Sequence, residues 1–414
     1  MRTAGLLVLV AGLTAAATVG ALLWGLPLVP GAPAAPVVTA AAWPEASSER
    51  TVAAPTREIT IVAVGDLMGH SPQRDSARTS SGYDFAPCFA PVASRIAEAD
   101  LAIGNLETPL AGADAGYSGY PAFNNPDNYA VALGAAGFDV LTTANNHCLD
   151  RGISGLVRTR DVLESLGIGS TGTSRTEAEA DAVLARDISG VKVAVLAYTY
   201  GMNGFTTPSG KGWAVNTIDR EAMTAAIADA RSQGADIVIV SIHNGVEYER
   251  EPSASQQTLE LAMVAAGADV VLGSHPHVIQ PMEVVEATRD DGTPRDALII
   301  HSLGNFVSGQ QQRFRDAGLI LSFSFEKDFG TGVTRLTGVE YVPTWVDAAD
   351  ETGTEYRVLP IAEVLADADY PGLTDGDRQR MAEAYADTTG HLGESEVSSR
   401  DPGSVVFWGT RVWD

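Results

Sequence analysis

Short, β-branched apolar runs recur along the chain from Glu58 onward, and most of them end in Gly, Asn, His or Asp. They are Ile59–Val64, Leu101–Ile103, Asp139–Thr143, Val191–Tyr198, Ile237–Ile242, Val270–Leu272 and Leu298–His301. Their hydrophobicity is nearly continuous, which marks strands covered on both faces. Between several of them lie stretches with helical spacing: Phe85–Ala99, Tyr129–Ala136, Ile153–Leu166, Thr217–Ser232 and Ser255–Ala266. Strand and helix alternate, which predicts an α/β fold with largely parallel pairing in its first half. Gly318–Phe325 and Gly332–Pro343 alternate more strictly and have no helix between them. They predict an antiparallel continuation in a second sheet packed on the first.

The two ends of the chain read differently. From Ala4 to Val29 there is no charge, and Arg2 is the only basic residue before Arg50. A stretch of that length, at about 1.5 Å per residue, can cross the ~30 Å core of a bilayer as a helix. With a short positive flank ahead of it, residues 1–29 read as a signal anchor or a signal peptide. Residues 30–56 are rich in Ala, Pro, Thr and Ser and read as a flexible linker, leaving 57–345 as the main domain. From Asp347 to Asp414 there are 15 acidic residues against 5 Arg, and 346–414 read as an acidic C-terminal appendage. The placement expected is a cell-membrane protein with its main domain outside, or a secreted one if the first segment is cleaved.

Charge narrows the partners. Over 414 residues there are 52 Asp plus Glu and 27 Lys plus Arg, a net charge of −25, with no Lys/Arg cluster. Binding to nucleic acid needs positive charge against phosphate, so that class is excluded. Two cysteines, Cys88 and Cys148, make neither a disulfide scaffold nor a Cys-rich zinc protein.

The chemistry sits at strand ends. Of seven histidines, six lie at or just past the end of an expected strand: His70, His147, His243, His275, His277 and His301. In open α/β sheets, ligands bind outside the carboxyl ends of strands. Asp66, Asn105, Glu107, Asn145, Asn146, Asp150 and Glu247 accompany them. Neutral imidazoles with carboxylates and an amide oxygen suit one or two divalent transition-metal ions of the Mn, Zn or Fe kind. Pro276 fixes its own φ between His275 and His277 and so helps set where the two rings point. Asn145 and Asp150 also suit the start of the helix expected near Ile153.

Six ordered motifs carry a resemblance. Gly65-Asp66-x-Met68, Gly104-Asn105-Leu106-Glu107, Asn145-Asn146-His147-x-x-Asp150, His243-x-Gly245-x-Glu247-Tyr248, Gly273-x-His275-Pro276-His277 and Ser302-Leu303-Gly304-Asn305-Phe306 together resemble the CapA family of bacterial capsule and poly-γ-glutamate biosynthesis proteins. That family resembles the calcineurin-like metallophosphoesterases. The resemblance implies a four-layer α/β/β/α sandwich with its site at the strand ends. It implies Asp66, Glu107, Asn146, His243, His275 and His277 as metal ligands and His147 as the proton donor. Glu247 is implied as catalytic or orienting, and Asn105, Asn145 and Asn305 as substrate contacts. Met68 departs from the Asp-x-His of phosphoesterases, which tells against an ordinary extracellular metallophosphatase. The function expected is metal-dependent hydrolysis or transfer on an anionic polymer, poly-γ-glutamate or a capsule component. The alternative is a non-catalytic polymer-binding subunit beside a membrane synthase.

Overall fold

Alternation along the first strand, Thr56–Leu67, decides the layering. Ile59, Ile61 and Ala63 point into one apolar cluster and Val62 and Val64 into another, as period-2 geometry requires. The same division runs through Val193 and Val195 against Ala194 and Leu196, and through Ile237 and Ile239 against Val238 and Val240. One cluster lies between two sheets. The other two lie between each sheet and its own helices. The protein is therefore the expected α/β/β/α sandwich, as this computed structural model describes it over residues 55–289, 291–348, 356–393, 396–397 and 403–409. The segment read as an anchor or signal, and residues 30–54 of the linker, lie outside the described residues. No helix among the described residues is long and apolar enough to cross a membrane.

The larger sheet is centred on Thr56–Leu67. On one side Leu101–Leu106, Val140–Thr142 and Gly169–Thr171 follow in parallel. On the other side Ala317–Asp328 and then Thr334–Asp347 pair antiparallel. The second sheet runs Met282–Thr288, Pro294–Ile300, Val270–Ser274, Ile237–His243, Val191–Thr199 and Leu184–Ile188. The late hairpin thus belongs to the first sheet, not to a second one. Its strict alternation fixes which residues face inward, but does not identify the neighbour.

Helices Asp127–Ala135 and Gly152–Ser165 cover the larger sheet through Tyr129, Leu133 and Leu163. Arg220–Ser232 and Ala254–Ala265 cover the second through Met223, Ile227, Met263 and Val264. Both of the latter start on a side-chain cap: Asp219 accepts from the Glu221 and Ala222 N–H groups, and Ser253 from that of Gln256. The expected helix Phe85–Ala99 is two short ones, Ala86–Phe89 and Ala93–Ala97. Pro91 lies between them, and a proline inside a helix removes a donor and clashes with the preceding turn.

After Trp345 the described residues continue the larger sheet. Arg357–Pro360 pairs with Thr334–Asp347, and so does Val405–Gly409. Helix Asp375–Leu392 starts on a reciprocal Thr374–Asp377 capping box and buries Met381 and Ala384 against Trp345 and Leu359. Ion pairs from Arg380 to Asp316 at 2.7 Å and from Arg313 to Asp387 at 2.6 Å tie this helix to the loop after Val307.

Candidate metal centre

The carboxyl ends of strands from both sheets supply the polar side chains. Asp66 stands at the end of the first strand, where a register shift against Leu101–Leu106 re-aims the chain. Glu107 follows the end of its neighbour, Asn145–His147 follow Val140–Thr142, His243 ends Ile237–His243, and His275 and His277 follow Val270–Ser274. The segment His301–Asn305 clasps the two sheets together. Asp66 N–H donates to Gly304 O at 3.0 Å, and Leu303 N–H to Gly273 O at 3.0 Å. This contact explains two motif glycines. A Cβ on Gly65 would lie 1.9 Å from Gly304 O, and one on Gly273 would lie 1.9 Å from His301 O. His275 and His277 sit at φ 100° and 58°, the left-handed region that side chains with a Cβ rarely adopt, and Pro276 separates them. Strain of this kind persists where surrounding structure enforces it, and it clusters at functional sites.

Six side chains meet at the centre. Asn105 Nδ2 donates to Asp66 Oδ1 at 2.8 Å and lies 3.3 Å from His243 Nδ1. His277 Nδ1 is 3.0 Å from Asp66 Oδ2. His243 Nε2 is 3.0 Å from Asn146 Oδ1 and 3.5 Å from Glu107 Oε1, and His277 Nε2 is 3.9 Å from the same oxygen. Asp66, Glu107 and His277 bring ligand atoms within 4.8 Å of one another, and so do Glu247, His275 and His277. His277 belongs to both groups.

Burial gives these groups their charge states. Burial alone would push Asp66 up, but the hydrogen bond and charge of His277, helped by His243 and Asn105, hold it at about 2. Burial and the neighbouring Asp66 charge push Glu107 well above the usual carboxylate range. Burial, and then neighbouring imidazoles, hold His243 well below its ordinary value and His275 at about 4. The two rings are therefore neutral near pH 7, the form that ligates a metal. Glu107 is 0% exposed, yet neither of its oxygens has a hydrogen-bond partner among the described residues, and the same holds for buried His275 Nδ1. Leaving a buried polar group unpaired costs about 1–3 kcal/mol, and more for a charged one. A divalent cation fits this set of unused donors, two or three carboxylates with neutral imidazoles and an amide oxygen.

His147 stands beside this cluster. Its Nδ1 is 2.7 Å from Asp150 Oδ2, and its backbone N–H donates to Asn145 Oδ1. Asp150 is thus tied to His147 and to the Phe123 N–H, not to the first turn of the following helix. Asn145 spends its amide on Leu106 O at 2.8 Å and on Asn105 Oδ1, so it braces the strand ends from within. Asn105 is likewise enclosed between Asp66 and His243. Asn305 is fully buried, and its amide donates to Gln310 Oε1 and to Arg315 O at 2.9 Å. His70 Nδ1 accepts from Gly309 N–H and takes no part in either group of ligand atoms. His301 lies with Glu260, its Nδ1 2.5 Å from Oε2. Cys88 and Cys148 are both free and buried.

Two contributors went unread in the sequence, and a third, read there as catalytic or orienting, takes a more direct part. Glu247 reaches the cluster as a direct carboxylate donor beside His275 and His277. Tyr200 lies on His275, ring centroids 4.5 Å apart, and Asn203 contacts Asn146 and His147. Tyr200 and Asn203 follow the end of Val191–Thr199, so the strand-end rule applied to that run pointed to them.

The sequence pattern of the bacterial capsule synthesis protein family PGA_cap matches residues 60–310, which hold every side chain of this cluster. The PGA biosynthesis protein CapA of Bacillus subtilis is 37% identical over 213 residues, 49% of this chain. That match spans 51% of the relative's own length. The capsule biosynthesis protein CapA of Bacillus anthracis is 28% identical over 316 residues, 73% of each chain. Among solved structures, a phosphatase from Mycoplasma pneumoniae aligns at 14% identity and TM-score 0.39, covering 70% of this chain and 94% of that one. The NAD nucleotidase of Haemophilus influenzae aligns at 12% identity and TM-score 0.41, covering 82% and 57%. With 60–310 matched, more than half of its length, the chain belongs to the bacterial capsule synthesis protein PGA_cap family.

Proposed function

We propose that the protein carries out metal-dependent hydrolysis or transfer on an anionic cell-surface polymer of the poly-γ-glutamate or capsule kind. One observation carries this reading. Glu107 is buried completely with neither oxygen hydrogen-bonded among the described residues, beside imidazoles held neutral at the ends of strands from two sheets. A stable fold leaves such donors unused where a cation takes them. Asp66, Glu107, Asn146, Glu247, His243, His275 and His277 would hold one or two ions. A bound divalent ion supplies Lewis acidity and lowers the pKa of a water molecule.

The chain's own groups do the rest. Asp150 fixes the Nδ1 side of His147, which leaves Nε2 to give a proton to, or take one from, a departing group. Asn203, at 3.5 Å from both ring nitrogens, limits the ring's rotation. Asn105 and Ser274, both at His243 Nδ1, orient that ring. The names of the two CapA relatives, which place them in PGA and capsule biosynthesis, support the polymer.

The uncharged segment Ala4–Val29 supports export and membrane attachment, with the main domain outside. A membrane synthase subunit is the partner this placement suits. The test is metal analysis of the purified full chain, with chain-length analysis of poly-γ-glutamate and release of phosphate from phosphoesters. Metal near one or two ions per chain with polymer shortening or transfer is the expected result. No metal uptake from added Mn or Zn would overturn the metal reading. Turnover of phosphoesters alone would overturn the polymer.

A further inference from the structure

Resting on the proposal of an anionic polymer, we infer that Arg315 is a specificity residue that reads carboxylates of the chain beside the metal cluster. Three observations place it there. Its guanidinium carbon lies 3.3 Å from the centre of the Tyr248 ring, and that ring lies 6.2 Å from the ring of His277. Arg315 Cζ is therefore no more than about 9.5 Å from a residue shared by both groups of ligand atoms.

The second observation is that its charge is uncommitted. Among the described residues no carboxylate lies within ion-pair distance of Arg315, and its guanidinium makes no hydrogen bond. Its neighbours are all engaged: Arg313 pairs with Asp387, Arg380 with Asp316, and Arg250 donates to Asp387 O. Arg315 is also only partly exposed, so ordering it on a ligand loses less side-chain freedom than a fully solvated arginine would lose.

The third is that its backbone is fixed. Asn305 donates to Arg315 O, and Arg315 N–H donates to Gln312 O. The next residue, Asp316, is buried and held by Trp345 Nε1 and Arg380. Upstream, Gly309 N–H is held by His70. Asn305 and His70 thus become positioning residues for this loop.

The charge and the spacing suit one ligand chemistry. A molecule of net charge −25 repels an anionic polymer except where a local cation faces it. A γ-linked glutamyl residue puts five bonds of about 1.3–1.5 Å between successive nitrogens, about 6 Å when extended. Arg315 then lies within reach of the first or second α-carboxylate from the bond held at the cluster. A planar guanidinium meets a carboxylate bidentately, and the Tyr248 ring packed against its face leaves the N–H edge to do so.

The test measures binding of poly-γ-glutamate and of its α-methyl ester to the full-length wild type, R315Q and R315K. Metal content and melting temperature are recorded for each. Wild type should prefer the free acid. R315Q should bind it about tenfold more weakly and lose the acid-over-ester preference, with metal content unchanged. R315K should keep part of that preference. If R315Q lowers the melting temperature by more than a few degrees, R315K alone decides, since it keeps a cation on a similar stem. Both variants keeping the full wild-type preference would overturn the role of Arg315 and leave the polymer reading intact. A wild type that binds neither polymer would remove the polymer reading, and this inference with it.

Discussion

Two glutamates buried in the same sandwich meet opposite fates. Glu260, 1% exposed on helix Ala254–Ala265, has His301 Nδ1 at 2.5 Å and the Gln256 amide at 3.3 Å. Glu107, 0% exposed at a strand end, has no hydrogen bond to either oxygen among the described residues, only imidazole nitrogens at 3.5 and 3.9 Å from Oε1. Burial pushes both carboxyls above the usual range, but His301 and Gln256 draw Glu260 back down, whereas the Asp66 charge drives Glu107 further up. The first arrangement is complete within the chain and serves the packing. The second is incomplete, and a cation is what completes it. A His–Glu pair in the sequence does not distinguish the two. The count of satisfied lone pairs does.

The sharpest way to break this contrast is His277→Ala, which removes the residue common to both groups of ligand atoms. Metal content should fall to near zero, and activity by more than the 10²–10⁴-fold that a single acid–base group contributes. Elemental analysis and a turnover assay check it. Retention of one ion per chain would show that the two groups do not depend on His277. His147→Ala should come next, with activity down about 10²–10⁴-fold while metal content stays at the wild-type level. If His147→Ala empties the site, its place outside the ligand set is wrong.

Glu260→Ala probes the other side of the comparison. Leaving His301 and Gln256 without their partner should cost about 3 kcal/mol in denaturant unfolding, with metal content untouched. Loss of metal in that protein would mean that the two glutamates belong to one network. A smaller effect follows from pH. The folded pKa of Glu260 lies above its unfolded value, so its contribution is complete below the ordinary Glu range and is lost as pH rises through the shifted value. Glu260→Gln should flatten that part of the stability curve, whose slope cannot exceed about 1.4 kcal/mol per pH unit for one proton.

The smallest expected effect concerns the thiols. Burial pushes Cys88 and Cys148 up to about 12, so both stay protonated and shielded. A thiol reagent at pH 8 should label neither in the native protein and both after unfolding. Rapid native labelling of Cys148, which directly follows His147, would show the cleft to be more open than its burial indicates.

The sequence by itself determined the strands, the class and the set of residues that carry chemistry. Continuous β-branched runs are legible because a strand buried on both faces must be apolar at every position, and the polar residues that end those runs stand out against them. The glycines at 65 and 273 were legible as motif positions, but not as places where another backbone fills the space of a Cβ. Which sheet the Ala317–Asp328 and Thr334–Asp347 hairpin joins was decided in three dimensions, because period-2 alternation names a face and not a partner. Burial and orientation were decided there too. Asn105, Asn145 and Asn305 share a residue type that contacts substrates in many sites, yet their amide N–H groups are spent on neighbours that lie up to 138 positions away in the chain. Glu247 was legible as a motif residue but not as a ligand, and Arg315 is one among many charged residues in the sequence. What distinguishes them is nearness to His275, His277 and Tyr248, which arises when strand ends from two separate sheets are drawn together by His301–Asn305.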